Sequence, residues 1–258
     1  MQDPSPKELL SAAIEISAAA AAIPLRYFRS GVTVEDKADE SPVTIADRET
    51  EADITCAILE RFPSHGIFGE EYGRQDGTSP YTWIIDPIDG TKSFITGSPL
   101  FGMLLGVLRD GQPEAGLIRM PALGECFSGH RGGTAMMNGK PIRCRAAPPL
   151  AGARLYLNEA NLLMEAEPER FARLCAAAKL RRFANDCYSF ALLAMGQIDA
   201  VVDFDLKPYD YMPIVPVVQA AGGIITDWQG RALGLHSAGT VVASGDAALH
   251  AALLGLLG

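Results

Sequence analysis

The sequence is short of the residues that most often announce a function by themselves. Its five cysteines, at 56, 126, 144, 175 and 187, are odd in number and scattered, and none stands in a Cys-x-x-Cys pair. This argues against a disulfide framework or a zinc site and favours a reducing, cytoplasmic compartment. The four histidines (His65, His130, His236 and His250) are equally scattered. No Cys or His stands in a setting that suggests a nucleophile, and all four histidines read as structural or surface residues. Positive charge is scarce as well: 22 Lys+Arg against 31 Asp+Glu leaves a net charge of −9, which speaks against non-specific nucleic-acid binding. Long apolar runs are missing except over residues 9–25. That stretch is Ala-rich, is interrupted by Glu15, lacks the basic flank of a signal peptide, and has the spacing of an amphipathic helix. No other segment is long and apolar enough to span a bilayer. What is present is an ordinary globular composition, 48% hydrophobic and 21% charged over 258 residues. That is enough for one large domain, or two smaller ones sharing an interface.

One stretch organises the rest: Trp83-Ile84-Ile85-Asp86-Pro87-Ile88-Asp89-Gly90-Thr91. Its apolar start reads as a buried strand, and the ladder is expected to stop at Asp86-Pro87, because proline has no N–H to donate. Asp86 and Asp89 then lie where they can face one point. Neighbouring carboxylates repel unless a cation sits between them or one is protonated. Their oxygens are hard ligands suited to magnesium or manganese. Gly90 lets the backbone approach a ligand closely, and Thr91 opens a helix whose free N–H groups attract an anion such as phosphate. The ordinary alternative is a polar turn after a buried strand.

Upstream, residues 6–28 read as a helix capped at Ser5-Pro6 and kinked or ended by Pro24. Residues 31–40 read as a hairpin or loop. A second helix opens over residues 41–47, runs to Phe62 and is closed by Pro63. A short apolar run then ends in Glu70 and Glu71. Downstream come β-like runs at 101–108, 115–120 and 124–128, with turns at Asp110-Gly111 and Asn138-Gly139. The polar, Pro-rich segment 145–152 is a candidate boundary. It divides the chain into an α+β half, residues 1–147, carrying the metal and phosphate site, and an α/β half, residues 148–258, carrying Asp210 and the substrate pocket. In the second half, strands at 153–157, 181–184, 200–204, 224–226 and 240–243 alternate with helices at 165–178, 188–195, 211–221 and 246–257.

Taken singly, each candidate acid has a plain structural reading. Asp210 suits a helix N-cap, Glu70 a solvated loop, and Asp47 a first turn whose dipole it complements. Together they form a pattern. Glu70, Asp86 and Asp89 each follow a strand-like run, and Asp210 sits at a strand-to-helix junction, the ends at which α/β architectures bind ligands.

The DPIDGT string after Trp83-Ile84-Ile85, Gly69-Glu70-Glu71, Val43-Thr44-Ile45-Ala46-Asp47, and the Asp210 helix followed by Ala220-Ala221-Gly222-Gly223 occur in one order over nearly the whole chain. In this they resemble the inositol monophosphatase family. The resemblance implies a layered αβαβα sandwich of the inositol monophosphatase and fructose-1,6-bisphosphatase type, and a magnesium-dependent, lithium-sensitive phosphomonoesterase. It implies that Glu70, Asp86, Asp89, Asp210 and the carbonyl of Ile88 ligate two or three Mg²⁺, with Mn²⁺ as an alternative. Glu70 and Thr91 would orient the attacking water, Asp47 would accept a hydrogen bond from Thr91, and the N–H groups of Gly90 and Thr91 would hold phosphate. Asp89, Asp186 and Asp203 would surround the alcohol, with Asn185 as a neighbour. A small-molecule phosphate monoester and a homodimer are the partners implied, with neither nucleic acid nor membrane.

Within the family, Lys92-Ser93-Phe94-Ile95-Thr96-Gly97 with Pro99-Leu100-Phe101-Gly102, then Asp186-Cys187-Tyr188, then Lys207-Pro208-Tyr209-Asp210 with Val215-Pro216-Val217-Val218, are most similar to the histidinol-phosphatase branch of histidine biosynthesis. Inositol enzymes usually carry a small residue where Asp186 stands. A carboxylate there suits the ammonium of histidinol phosphate, although Asp186 has a second reading as the cap of the helix from Tyr188. Inositol 1-phosphate and 3′-phosphoadenosine phosphate are alternative substrates; for the latter, Arg181-Arg182 is the nearby basic pair. A ligand-binding scaffold without turnover is a further alternative, opposed by the presence of every expected ligand.

Overall fold

The computed structural model describes residues 3–36 and 42–258. Ser5 caps α1 (Pro6–Ala20): its hydroxyl accepts from the Glu8 amide while the Glu8 carboxylate accepts from the Ser5 amide. The chain bends at Ala21 into α2 (Ala22–Tyr27), so the break is not at Pro24 as expected. Pro24 lies in the first turn of α2, where its missing N–H has no helical partner to lose. β1 (Val34–Asp36) pairs antiparallel with β2 (Pro42–Thr44). Residues 37–41, part of the expected hairpin or loop and the expected helix start, lie outside the described residues. α3 (Ile45–Arg61) starts later than expected, because Thr44 is its cap and Asp47 completes the capping box.

The chain continues through β3 (Gly66–Gly69), β4 (Gly73–Gln75), β5 (Tyr81–Asp89), α4 (Thr91–Ile95), β6 (Gly102–Arg109), β7 (Gln112–Met120), β8 (Glu125–His130), β9 (Met136–Met137) and β10 (Lys140–Pro141). Strands β3 to β10 form one sheet in the order β10-β9-β8-β7-β6-β5-β3-β4. Asn138-Gly139, at φ of 47° and 77°, makes the tight turn between β9 and β10. Then follow β11 (Arg154–Leu157), α5 (Ala160–Ala166), α6 (Pro168–Ala177), β12 (Leu180–Phe183), α7 (Tyr188–Ala194), β13 (Ala200–Asp203), α8 (Pro208–Tyr211), α9 (Ile214–Ala220), β14 (Ile224–Thr226), β15 (Val241–Ser244) and α10 (Ala247–Leu257). Two helices expected as single pieces are each divided, beside Pro168 and Pro213, since proline cannot donate within a helix. The second sheet runs β12-β11-β13-β15-β14, parallel around β11 and antiparallel beyond β13.

Strand alternation sorts side chains into layers. Trp83, Ile85, Leu105 and Leu117 pack against Leu9, Ala13, Ile54 and Ile58 of α1 and α3. Ile84, Leu104 and Ile118 face the other way, onto Phe190 and Val217 of α7 and α9. The same middle layer meets one face of the second sheet at Val201 and Ala243, while Leu155 and Val202 pack against Leu174 and Leu253 of α6 and α10 on the other. The result is the αβαβα sandwich. The stretch Pro6–Tyr27 is long and apolar enough to cross a membrane by length and composition, but α1 buries Leu9, Ala12, Ala13 and Ile16 as one side of this core.

The middle layer sits unusually close to the large sheet. Gly106, Gly116 and Gly129 are direct cross-strand neighbours on β6, β7 and β8. A Cβ on Gly106 would come within 2.9 Å of Pro213 Cα, one on Gly129 within 2.6 Å of the Pro216 carbonyl oxygen, and one on Gly116 would collide with the Pro213 carbonyl. α9 therefore lies backbone to backbone on a glycine row, and α8, which carries Asp210, leads directly into it.

Candidate active site

β3 and β5 run side by side in parallel, with Gly69 opposite Ile85, so Glu70 leaves β3 at the level of Asp86 on β5. The Glu70 amide donates to the Ile85 carbonyl at 3.1 Å. The ladder does not stop at Pro87: β5 continues to Asp89. Proline is tolerated because the register shifts there. Asp86 pairs with Leu104 and Asp89 with Gly102, three steps on β5 against two on β6. That bulge has a chemical consequence. In a regular strand, residues three apart point to opposite faces; the extra residue brings Asp86 and Asp89 to the same side. Asp86 Oδ1 accepts the Ile88 amide at 3.0 Å within the bulge.

Asp210 arrives from across the sandwich. It is not the cap of α8 but its third residue, and its Oδ2 accepts the Lys207 amide at 2.6 Å. One oxygen from each of Asp86, Asp89 and Asp210 lies within 4.8 Å of the others. Burial, then the charges of Glu70, Asp89 and Asp210, push Asp86 well above the ordinary carboxyl range. Burial and then Asp89 do the same to Asp210. Asp89 is pushed up to about 7, by burial first and Asp186 next, although the Cys187 amide donates to its Oδ2 at 2.7 Å. Hard oxygen donors that converge on one point and oppose one another's ionisation fit a divalent cation such as magnesium.

Next to this cluster, Gly90 is left-handed at φ 79°, and a Cβ there would lie 2.7 Å from Asp186 Cγ, so only glycine meets both demands. α4 begins at Thr91, and its first N–H groups have no helical acceptor. The Thr91 hydroxyl donates to the Ile88 carbonyl at 3.2 Å, not to Asp47 as expected. Asp47 Oδ2 instead accepts the amide and hydroxyl of its own cap residue, Thr44, at 2.8 and 2.6 Å, while Oδ1 is buried without a partner. Burial pushes Asp47 up to about 6.

Glu70, Asp86, Asp89, Gly90, Thr91 and Asp210, but not Asp47, line a cavity of about 500 Å³ whose facing wall carries Asn158, Glu159, Asp186, Asp203 and Lys207. Asp186 is half-buried and left-handed at φ 47°, and its carboxylate accepts the Ser93 hydroxyl at 2.6 Å. It does not cap α7. Cys187 is the cap residue, and its amide goes to Asp89. Asp203 accepts from Asn158 Nδ2 at 2.7 Å and from the Phe204 amide at 2.9 Å, and burial pushes it up to about 7. Asn185 spends its amide on the Phe183 carbonyl at 2.9 Å and stands behind the wall rather than on it.

The sequence reading missed two wall residues. Asn158 Nδ2 reaches the Asp186 carbonyl and Ser189 Oγ as well as Asp203, so one amide joins the tips of two strands to the Asp186 loop. Glu159 faces Lys92 at 3.5 Å across the cavity mouth. The signal was available: Asn158-Glu159 is a polar pair directly after an apolar strand, the same sign that marked Glu70 and Asp86.

Residues 5–257 match the inositol monophosphatase family. The chain is 42% identical over 234 residues to the bifunctional phosphatase IMPL2, chloroplastic, of Arabidopsis thaliana, covering 87% of this chain and 68% of that protein. It is 36% identical over 237 residues to a histidinol-phosphatase of Chlorobaculum parvum, covering 91% of this chain and 92% of that one. A solved inositol monophosphatase from Zymomonas mobilis superposes with a TM-score of 0.89 at 34% identity, with 99% of both chains covered.

Proposed function

The chain belongs to the inositol monophosphatase family and so is a metal-dependent phosphatase of phosphomonoesters, and from that premise we propose that it hydrolyses histidinol phosphate with magnesium. Asp186 carries the reading. It is a half-buried carboxylate on the wall facing the acid cluster, with Glu159 on the same wall. An alcohol bearing an ammonium group can form an ion pair with these carboxylates, which a neutral polyol, donating through hydroxyls alone, cannot. The identity to a histidinol-phosphatase over most of both chains supports the same substrate.

Glu70, Asp86, Asp89, Asp210 and the Ile88 carbonyl are the residues that would hold two or three Mg²⁺, with Mn²⁺ as a substitute. Bound there, the metal polarises the phosphoryl group and lowers the pKa of a water. The chain's own groups do the rest. Glu70 and Thr91 orient the attacking water, and the buried, unpartnered Oδ1 of Asp47 is the acceptor assigned to the Thr91 hydroxyl in the loaded site. The N–H groups of Gly90 and Thr91 hold phosphate oxygens. Asp89, Asp186 and Asp203 surround the alcohol, and Asn185 braces the loop beneath them. A homodimer in the cytoplasm completes the proposal.

The test is phosphate release from histidinol phosphate, inositol 1-phosphate and 3′-phosphoadenosine phosphate, each with Mg²⁺. The expected result is the highest kcat/KM on histidinol phosphate. A preference of about tenfold or more for either rival would transfer the assignment to it.

A further inference from the structure

We propose that Glu51, which lies outside the cavity, is the positioning residue for Glu70. Glu51 is fully buried on α3. Its carboxylate accepts two backbone N–H groups, that of Glu71 at 2.8 Å and that of Tyr72 at 3.0 Å. These are the first two amides after Glu70. The amide of Glu70 itself is held by the Ile85 carbonyl on β5. Glu70 is thus fixed on both sides, before it by the strand that carries Asp86 and after it by a carboxylate reaching across from α3. Gly69 belongs to the same arrangement, because a Cβ there would run into the Glu51 carboxylate.

The choice of a carboxylate here needs a reason. A buried carboxylate is costly, and burial pushes this one up to about 7 even though both N–H groups pull it down. An apolar residue would serve the packing of α3 against the sheet at least as well. What only an acceptor with two oxygens provides is a single path for the bend that aims Glu70. Small misplacements of a reacting group are enough to cost much of its effect.

The inference rests on the proposed role of Glu70 as a metal ligand, and the test separates the two. Glu51→Gln is nearly isosteric but turns an NH₂ toward one of the two amides. Magnesium binding is measured by calorimetry, alongside steady-state kinetics and Tm. The expected result is Mg²⁺ affinity and kcat lowered by about 10- to 100-fold, with little change in KM for the ester. Glu70→Gln is the control. If it leaves Mg²⁺ affinity unchanged, the ligand role fails. If it weakens binding while folded Glu51→Gln binds Mg²⁺ like the wild type, whatever its Tm, the positioning role alone is overturned. Should the variant not fold, hydrogen exchange on the wild-type protein decides. Tyr72 is 63% exposed, so its amide exchanges slowly only if the Glu51 contact persists. Slow exchange that Mg²⁺ slows further supports the proposal, and exchange at the rate of an open loop overturns it.

Discussion

One wall of the cavity is sheet and the other is loop. Glu70, Asp86 and Asp89 stand at the tips of β3 and β5, inside an eight-stranded sheet covered on both faces. Asp210 is seated on the same sheet through α9. Across the cavity, Asn158, Glu159 and Asp186 stand on connections of the smaller sheet, whose edge strand β12 is exposed along its whole length. The first wall depends on a bulge, a glycine row and a buried core, and little in it can change without moving the rest. The second depends on a few side-chain hydrogen bonds between loops. The proposed function accordingly puts the chemistry common to all phosphate esters on the first, and choice of alcohol on the second.

The largest expected effect breaks the sheet wall. Asp89→Asn keeps the shape but removes a charge from the cation seat, and Mg²⁺-dependent phosphate release should fall by about 100-fold or more; near-normal turnover would refute the site. The loop wall should respond selectively. Asp186→Ala is expected to lower kcat/KM on histidinol phosphate by about tenfold or more while sparing a neutral phosphate ester, and equal loss on both would remove Asp186 from substrate choice.

A pH experiment sharpens the contrast further. Asp89 and Asp203 have folded values of about 7, above the unfolded carboxyl value of about 3.9. A raised carboxyl contributes stability that is fully present below the unfolded value and is lost as pH rises through the folded one. If Asp89 is a metal ligand as proposed, magnesium would replace its proton, so the Mg²⁺-induced gain in Tm should be greater at pH 8 than at pH 5. A gain equal at both would contradict a carboxylate metal seat. The smallest effect is expected at the cavity mouth. Lys92 is 70% exposed, so Lys92→Ala should change stability by less than about 0.5 kcal/mol in chemical denaturation.

The sheet wall was largely legible in the sequence, because acids at the ends of apolar runs are a local pattern. The layers came from the family resemblance alone: Trp83-Ile84-Ile85 is a continuous apolar run, which marks a buried strand but not which core each residue meets. The cap at Ser5 was readable from residue type alone. Where the reading went wrong, proline was the usual cause. Pro87 marks a strand end in the sequence, yet a register shift carries the strand onward; Pro24 marks a helix break or kink, yet the bend comes earlier, at Ala21. The first depends on where the neighbouring strand allows an absent N–H, which is a tertiary fact, and the second on where a helix turn begins. The loop wall was less legible still. Asp186 has a left-handed backbone, and its carboxylate is held by Ser93, 93 residues away. The hold of Glu51 on Glu71 and Tyr72 likewise crosses from one element to another.

The glycine row on β6, β7 and β8 has a last consequence. Where side chains separate a helix from a sheet, rotamers can lengthen or shorten the gap, and a family can drift. Here main chain rests on main chain, so the clearance between Asp210 and the tips of β3 and β5 is dictated by the thickness of a polypeptide backbone. The proposed cation seat inherits a fixed gauge that no side-chain substitution in that layer can retune, short of lifting the helix off altogether.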